Sequence, residues 1–170
     1  MSLGHLFSKL YATGFYSDIN LHFAEFLAGR CGGSPEVFMA AASASHGASQ
    51  GHVCIDLADI IQPDNPVFRF FPPACHDPRR WGEILLEKGA AVEPGESGPL
   101  VLEKPSRLYL LRYWKYEKIL AERLLARALP FVDPALSPEA MARIRKNADP
   151  REPDWQMAAV LTALFKKLCI

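Results

Sequence analysis

The stretch Ser34-Pro35-Glu36-Val37-Phe38-Met39-Ala40-Ala41-Ala42-Ser43-Ala44-Ser45-His46 decides how this chain folds. Ser34 followed by Pro35 is a helix start: a hydroxyl to accept an orphan amide, then a residue whose missing N–H costs nothing in the first turn. From Glu36 to His46 the helix carries small residues on every face, which lets neighbouring helices approach closely. It is therefore expected at the centre of the domain, with Gly47 and Gly51 marking its end.

Upstream, Ser17 is placed to cap a helix in which Ile19, Phe23, Phe26 and Leu27 share a face, with Gly29 near its end. Gly32-Gly33 then breaks the chain. Downstream, His52 to Ile55 reads as a short β run and Leu57 to Ile61 as a helical turn. Pro63, Pro66, Pro72, Pro73 and Pro78 make 62–80 resist regular structure, with Phe68, Phe70 and Phe71 anchoring a loop. Trp81 to Lys88 returns to helix, stopped by Gly89. Pro99 to Lys104 and Arg107 to Leu111 form a hairpin about Pro105-Ser106. The second strand runs straight into a helix, Tyr113 to Leu129, with Tyr113, Tyr116, Leu120 and Leu124 as its apolar stripe. Pro130 and Pro134 end it, Ser137-Pro138-Glu139 starts another helix, 149–153 is a linker, and Asp154 caps the last helix. The expected class is α+β, mostly helical with a small antiparallel β-hairpin or sheet.

The 170 residues, 49% apolar and 22% charged, are ordinary globular composition. Nineteen Lys/Arg balance nineteen Asp/Glu overall. The balance is uneven: residues 1–103 hold six basic against twelve acidic, and 104–170 hold thirteen against seven. The basic back part either meets an acidic partner or packs on the acidic front. No C-x-x-C pair, signal peptide or membrane-length apolar run occurs, so a soluble protein of the reducing cytosol is expected, with cysteines as small buried hydrophobes. A zinc site from His52, Cys54, Cys75 and His76 matches no common module.

Motifs for chemistry are sparse. No G-x-x-x-x-G-K-[ST] loop occurs, so the amides and lysine that cradle a triphosphate are missing. Gly95-Glu96-Ser97-Gly98-Pro99 is out of register for a nucleophile elbow. The five histidines form no H-E-x-x-H pair, and Gly29, Gly32 and Gly33 follow a helix where a dinucleotide fingerprint needs a strand. No catalytic residue is assigned. Two clusters survive. In Arg107-Leu108-Tyr109-Leu110-Leu111-Arg112-Tyr113-Trp114-Lys115-Tyr116, the cations Arg107, Arg112 and Lys115 beside aromatic rings suit phosphates and bases. The competing reading, which is preferred, sends most rings into a core. Trp155-Gln156 opens the last helix. The Gln156 amide, one donor and one acceptor, matches an adenine edge, and its plain alternative is an exposed first-turn residue.

Taken in order, Phe23-Ala24 through Ala28-Gly29, the Ala-rich helix, Gly51-His52-Val53-Cys54-Ile55, Arg107-Leu108-Tyr109-Leu110 through Trp114, and Asp154-Trp155-Gln156 resemble the N-terminal domain of RecD, the alpha subunit of bacterial exodeoxyribonuclease V (the RecBCD complex). The resemblance implies an intact subunit that is an ATP- and Mg-dependent 5′ to 3′ DNA helicase, working with RecB and RecC at double-strand breaks. It implies that this first domain contacts RecC; the basic back part of the chain suggests the alternative, a domain that guides single-stranded DNA. The resemblance also implies that Gln156 is the adenine-reading glutamine before the motor's phosphate loop. Residues 1–150 would be the interaction domain and 151–170 the lead-in helix and start of the motor. Residues 1–170 alone are expected to be inactive, without cofactor or membrane contact.

Overall fold

A computed structural model describes residues 2–128, Ala142 and residues 155–166. Three helices open the chain: α1 (Leu3–Tyr11), α2 (Asp18–Arg30) and α3 (Pro35–Ser49). The start of α3 is as the sequence dictates, with Ser34 Oγ accepting from Val37 N at 3.4 Å and donating to Glu36 Oε2 at 2.7 Å. Nine of its fifteen residues are buried, from Val37 through Ala44 plus Gly47. The turn before it needs two residues with positive φ, and Gly32 (74°) and Gly33 (73°) supply them without Cβ strain. Gly47 does not end α3. It lies inside the helix, where a Cβ would meet Ile55 Cγ2 at 2.5 Å, so its role is close approach to the next strand.

The packing of α2 corrects its expected apolar face. Asn20, Leu21, Ala24, Leu27 and Ala28 are buried, whereas Ile19 and Phe26 point to solvent. Small residues decide this. Ala24 and Ala28 offer a flat surface that α3's own alanines can meet at short range, and bulky Ile19 and Phe26 would hold the axes apart. Two hydrogen bonds tie polar side chains to α3: Ser45 Oγ donates to Asn20 Oδ1 at 2.8 Å, and the Tyr16 and Ser43 hydroxyls lie 2.9 Å apart. Among the described residues, Asn20 Nδ2 is buried without a hydrogen-bond partner.

Four short strands follow: β1 (Cys54–Asp56), β2 (Ala91–Val92), β3 (Leu100–Glu103) and β4 (Arg107–Leu110). The expected β3–β4 hairpin is present, pairing Leu100 with Leu110 and Glu103 with Arg107. The sheet is larger than a hairpin and mixed, in the order β1-β4-β3-β2, with β1 antiparallel to β4 and β2 parallel to β3. Leu100, Leu102 and Leu108 join the main core with the helices, while the paired Val101 and Tyr109 are buried outside it. Asp56 locks this arrangement: its Oδ1 accepts from Ala58 N at 2.8 Å, capping α4 (Leu57–Ile60), and from Ser106 Oγ at 2.6 Å.

The segment 62–80 contains two 3-10 turns, Phe68–Phe70 and Pro73–His76, and α5 starts earlier than expected, spanning Pro78–Glu87. Asp77 caps it, accepting from Arg79 N at 3.0 Å, so the cap-then-proline rule applies here as at Ser34-Pro35. Trp81 is fully buried and its Nε1 donates to Glu36 O at 3.0 Å, pinning α5 to α3. Phe71 packs edge-on against it at 5.5 Å, the loop anchor the sequence called for.

β4 passes directly into α6 (Leu111–Ala128). The chain divides into compact units at Glu117/Lys118; the second contains the rest of α6 and α7 (Trp155–Phe165). The expected boundary near 150, the helix start at Ser137, the linker and the Asp154 cap lie outside the described residues. No helix among the described residues is long and apolar enough to cross a membrane.

Candidate interaction surface

The aromatic and basic run divides at the junction of β4 and α6. In the strand, Leu108 and Tyr109 are buried, and Tyr109 OH donates to Glu103 Oε2 at 3.4 Å. Burial, with Cys54 and Glu103 adding to it, pushes the Tyr109 phenol well up. Arg107 is already neutralised by Glu103, with Nη2 3.1 Å from Oε2. In the helix the rings divide: Tyr113 and Trp114 are half-buried, whereas Tyr116 is 59% exposed. Arg112 lies over the Tyr113 ring, 5.0 Å from its centroid, and Tyr116 meets Tyr113 edge-on at 6.4 Å. Arg112 and Lys115 are both exposed and one helical turn apart. Of the three cations, then, two are exposed beside half-buried Tyr113 and exposed Tyr116, and Arg107 belongs to an ion pair.

Trp155 and Gln156 are exposed in the first turn of α7. The imagined zinc ligands do not converge: among the described residues no group of three His, Cys, Asp or Glu is arranged to hold a metal. Cys75 sits in the core, where burial pushes its thiol well up and Glu36 adds to the effect.

Sequence reasoning missed a crevice of about 190 Å³ lined by Phe15, Tyr16, His46 and His52 among others. The His46 ring packs 4.7 Å from Phe15 and 5.5 Å from Tyr16. Burial, then the neighbouring His52, lowers its pKa, so it is a neutral packing group near pH 7. A second hollow of about 310 Å³ lies between α5 and β3, floored by Gly82, Leu86 and Leu102. Neither contains a nucleophile with a positioned base.

The most distinctive surface is apolar. Ile19 is 73%, Phe26 64% and Tyr11 57% exposed. Ile19, Phe23 and Phe26 follow one face of α2 at i, i+4 and i+7 spacing. Across α1 the strip continues: the His22 ring packs 5.1 Å from Phe7, and Phe7 stacks on Tyr11 at 6.3 Å. Contiguous exposed apolar residues of this size mark contact surfaces more often than isolated ones do. The signal was in the sequence, as the large residues of α2, but it was assigned to the inward face.

These features define an α+β domain: small-residue helices and a short mixed sheet around one core, with aromatic side chains left outside it. Residues 12–109 match the family described as RecBCD enzyme subunit RecD, N-terminal domain, and the chain belongs to this family. No curated protein matches the chain.

Proposed function

We propose that this domain docks a RecD-like helicase subunit onto the RecC-like subunit of its enzyme, bracing the motor that follows during processing of double-strand breaks. The supporting observation is the family match over 12–109, whose description names one subunit of a multisubunit enzyme. The aromatic side chains on the outside of α1 and α2 agree with a contact role. The test is co-purification of the intact subunit with the RecC-like subunit. A stable complex at micromolar concentration is expected, and free elution of both proteins counts against docking.

ATP and Mg belong, on this reading, to the motor of the intact subunit. Among the described residues, the one assigned to the nucleotide is Gln156, whose exposed amide matches an adenine edge. Gln156→Ala in the intact subunit is expected to raise the ATP concentration needed for half-maximal unwinding several-fold while leaving assembly unchanged. An unaltered ATP dependence removes that role. A second reading, guidance of single-stranded DNA, is favoured by exposed Arg112 and Lys115 beside Tyr113 and Tyr116. It requires oligonucleotide affinity that falls steeply with salt. Salt-independent or undetectable binding eliminates it.

A further inference from the structure

In the strip on the outside of α1 and α2, Tyr11, His22, Ile19 and Phe26 are exposed, while Phe7 and Phe23 are half-buried against the core and support them from beneath. The strip's chemistry is specific enough to name an occupant. The three most exposed side chains present roughly 400 Å², taking about 150–250 Å² for each large side chain. A stable symmetric dimer needs about 800 Å² from each partner. The strip is thus too small to be a dimer interface by itself and suits the apolar centre of a contact made by one inserted element. Its long axis is the axis of α2, and the spacing of Ile19, Phe23 and Phe26 suits the apolar face of another helix.

Charge fixes the direction. Asp18 flanks the strip at the N-terminus of α2 and Arg30 closes it at the C-terminus. Neither forms an ion pair among the described residues; the Arg30 guanidinium rests over the Phe26 ring at 5.9 Å, and Glu25 is instead engaged by His22 at 3.6 Å. A helix lying antiparallel to α2 brings its C-terminal turn to Asp18 and its N-terminal turn to Arg30. Helices favour cations in the last turn and anions in the first, so that orientation satisfies both flanking charges and opposes the two macrodipoles.

We propose that the strip receives one amphipathic helix from another subunit of the same enzyme, antiparallel to α2, with an acidic first turn against Arg30 and a basic last turn against Asp18. This rests on the docking reading above and assigns its surface. The test uses the intact subunit with the purified partner subunits of its enzyme. The double substitution Ile19→Asp and Phe26→Asp changes only exposed side chains, so its melting temperature is expected to match the wild type. Its affinity in titration calorimetry is expected to fall at least 100-fold. Asp18→Arg and Arg30→Asp are each expected to weaken binding about tenfold.

Equal affinity of the wild type and the double variant overturns the strip assignment while leaving docking intact. Failure of the wild type to bind any subunit overturns the docking reading itself. Should the double variant melt early, a photo-crosslinking amino acid at position 26 of the otherwise unaltered chain decides the matter. Capture of a helical segment of another subunit supports the proposal. Capture of a second copy of this chain, or of nothing, overturns it. A crosslinker at position 18 that captures the N-terminal end of the partner helix overturns the antiparallel arrangement.

Discussion

Helices α3 and α6 are both rich in apolar residues, and they end in opposite environments. Most of α3 is buried, and its buried stretch is mainly alanine and serine. α6 contains Tyr116, Ile119, Leu120, Leu124 and Leu125, every one at least 39% exposed. α6 also carries seven charged side chains, Arg112, Lys115, Glu117, Lys118, Glu122, Arg123 and Arg127, where α3 has Glu36 alone. The difference shows that a helix reaches the centre of a small domain when it carries almost no charge around its circumference and its side chains are small enough for neighbours to approach on every face. Alanines bring α2, α5 and β1 within reach of α3, and Gly47 lets Ile55 come closer still.

If that contrast is correct, truncation in α3 is severe. Phe38 is fully buried in a close-packed layer, so Phe38→Ala is expected to destabilise the Met1–Glu117 unit by about 3–5 kcal/mol, read by denaturant unfolding. A cost under about 1 kcal/mol would mean that the alanine helix is not the centre.

Tyr16 probes the rim of the same core. Tyr16→Phe removes the 2.9 Å contact with Ser43 and is expected to cost about 1 kcal/mol at pH 7. Burial, opposed in part by the Ser43 hydrogen bond, pushes the Tyr16 phenol up to about 12 from the model-peptide value of 10.0. The native state therefore holds the proton more tightly than the unfolded chain. The stability this contributes is complete below pH 10 and is lost as pH rises towards 12. The wild type should weaken over that window, and the phenylalanine variant less so. Identical alkaline profiles would contradict the burial of this hydroxyl.

The smallest effect is expected in α6. Tyr116, in the part of α6 that belongs to the Met1–Glu117 unit, is 59% exposed, and Tyr116→Ala should shift the stability of that unit by less than about 0.5 kcal/mol. A loss comparable to that of Phe38→Ala would erase the comparison.

The sequence made legible whatever depends on local rules. Ser34-Pro35 set the start of α3, the alternation around Pro105-Ser106 set the β3–β4 hairpin, and the absence of a breaker between Leu110 and Leu111 set the passage into α6. The same cap-then-proline rule at Asp77-Pro78 was there to be read and would have placed the start of α5. What could not be read depends on partners distant in the chain. Ala91–Val92 is only two residues, too short for a periodic signal, and becomes a strand because β3 supplies a parallel edge. The face of α2 turns on whether Ala24 or Phe26 meets α3, which no window within α2 reveals. Arg107, Arg112 and Lys115 share a composition but not an environment, because Glu103 reaches only the first.

The role proposed for this domain is contact through the outside of α1 and α2. Hydroxyl-radical footprinting of the intact subunit, free and in its assembled enzyme, tests this most directly. Oxidation at Tyr11 and Phe26 should fall several-fold on assembly, while exposed residues outside the strip, such as Val53, keep their rates. Unchanged oxidation at Tyr11 and Phe26 in an enzyme shown to be fully assembled would contradict it.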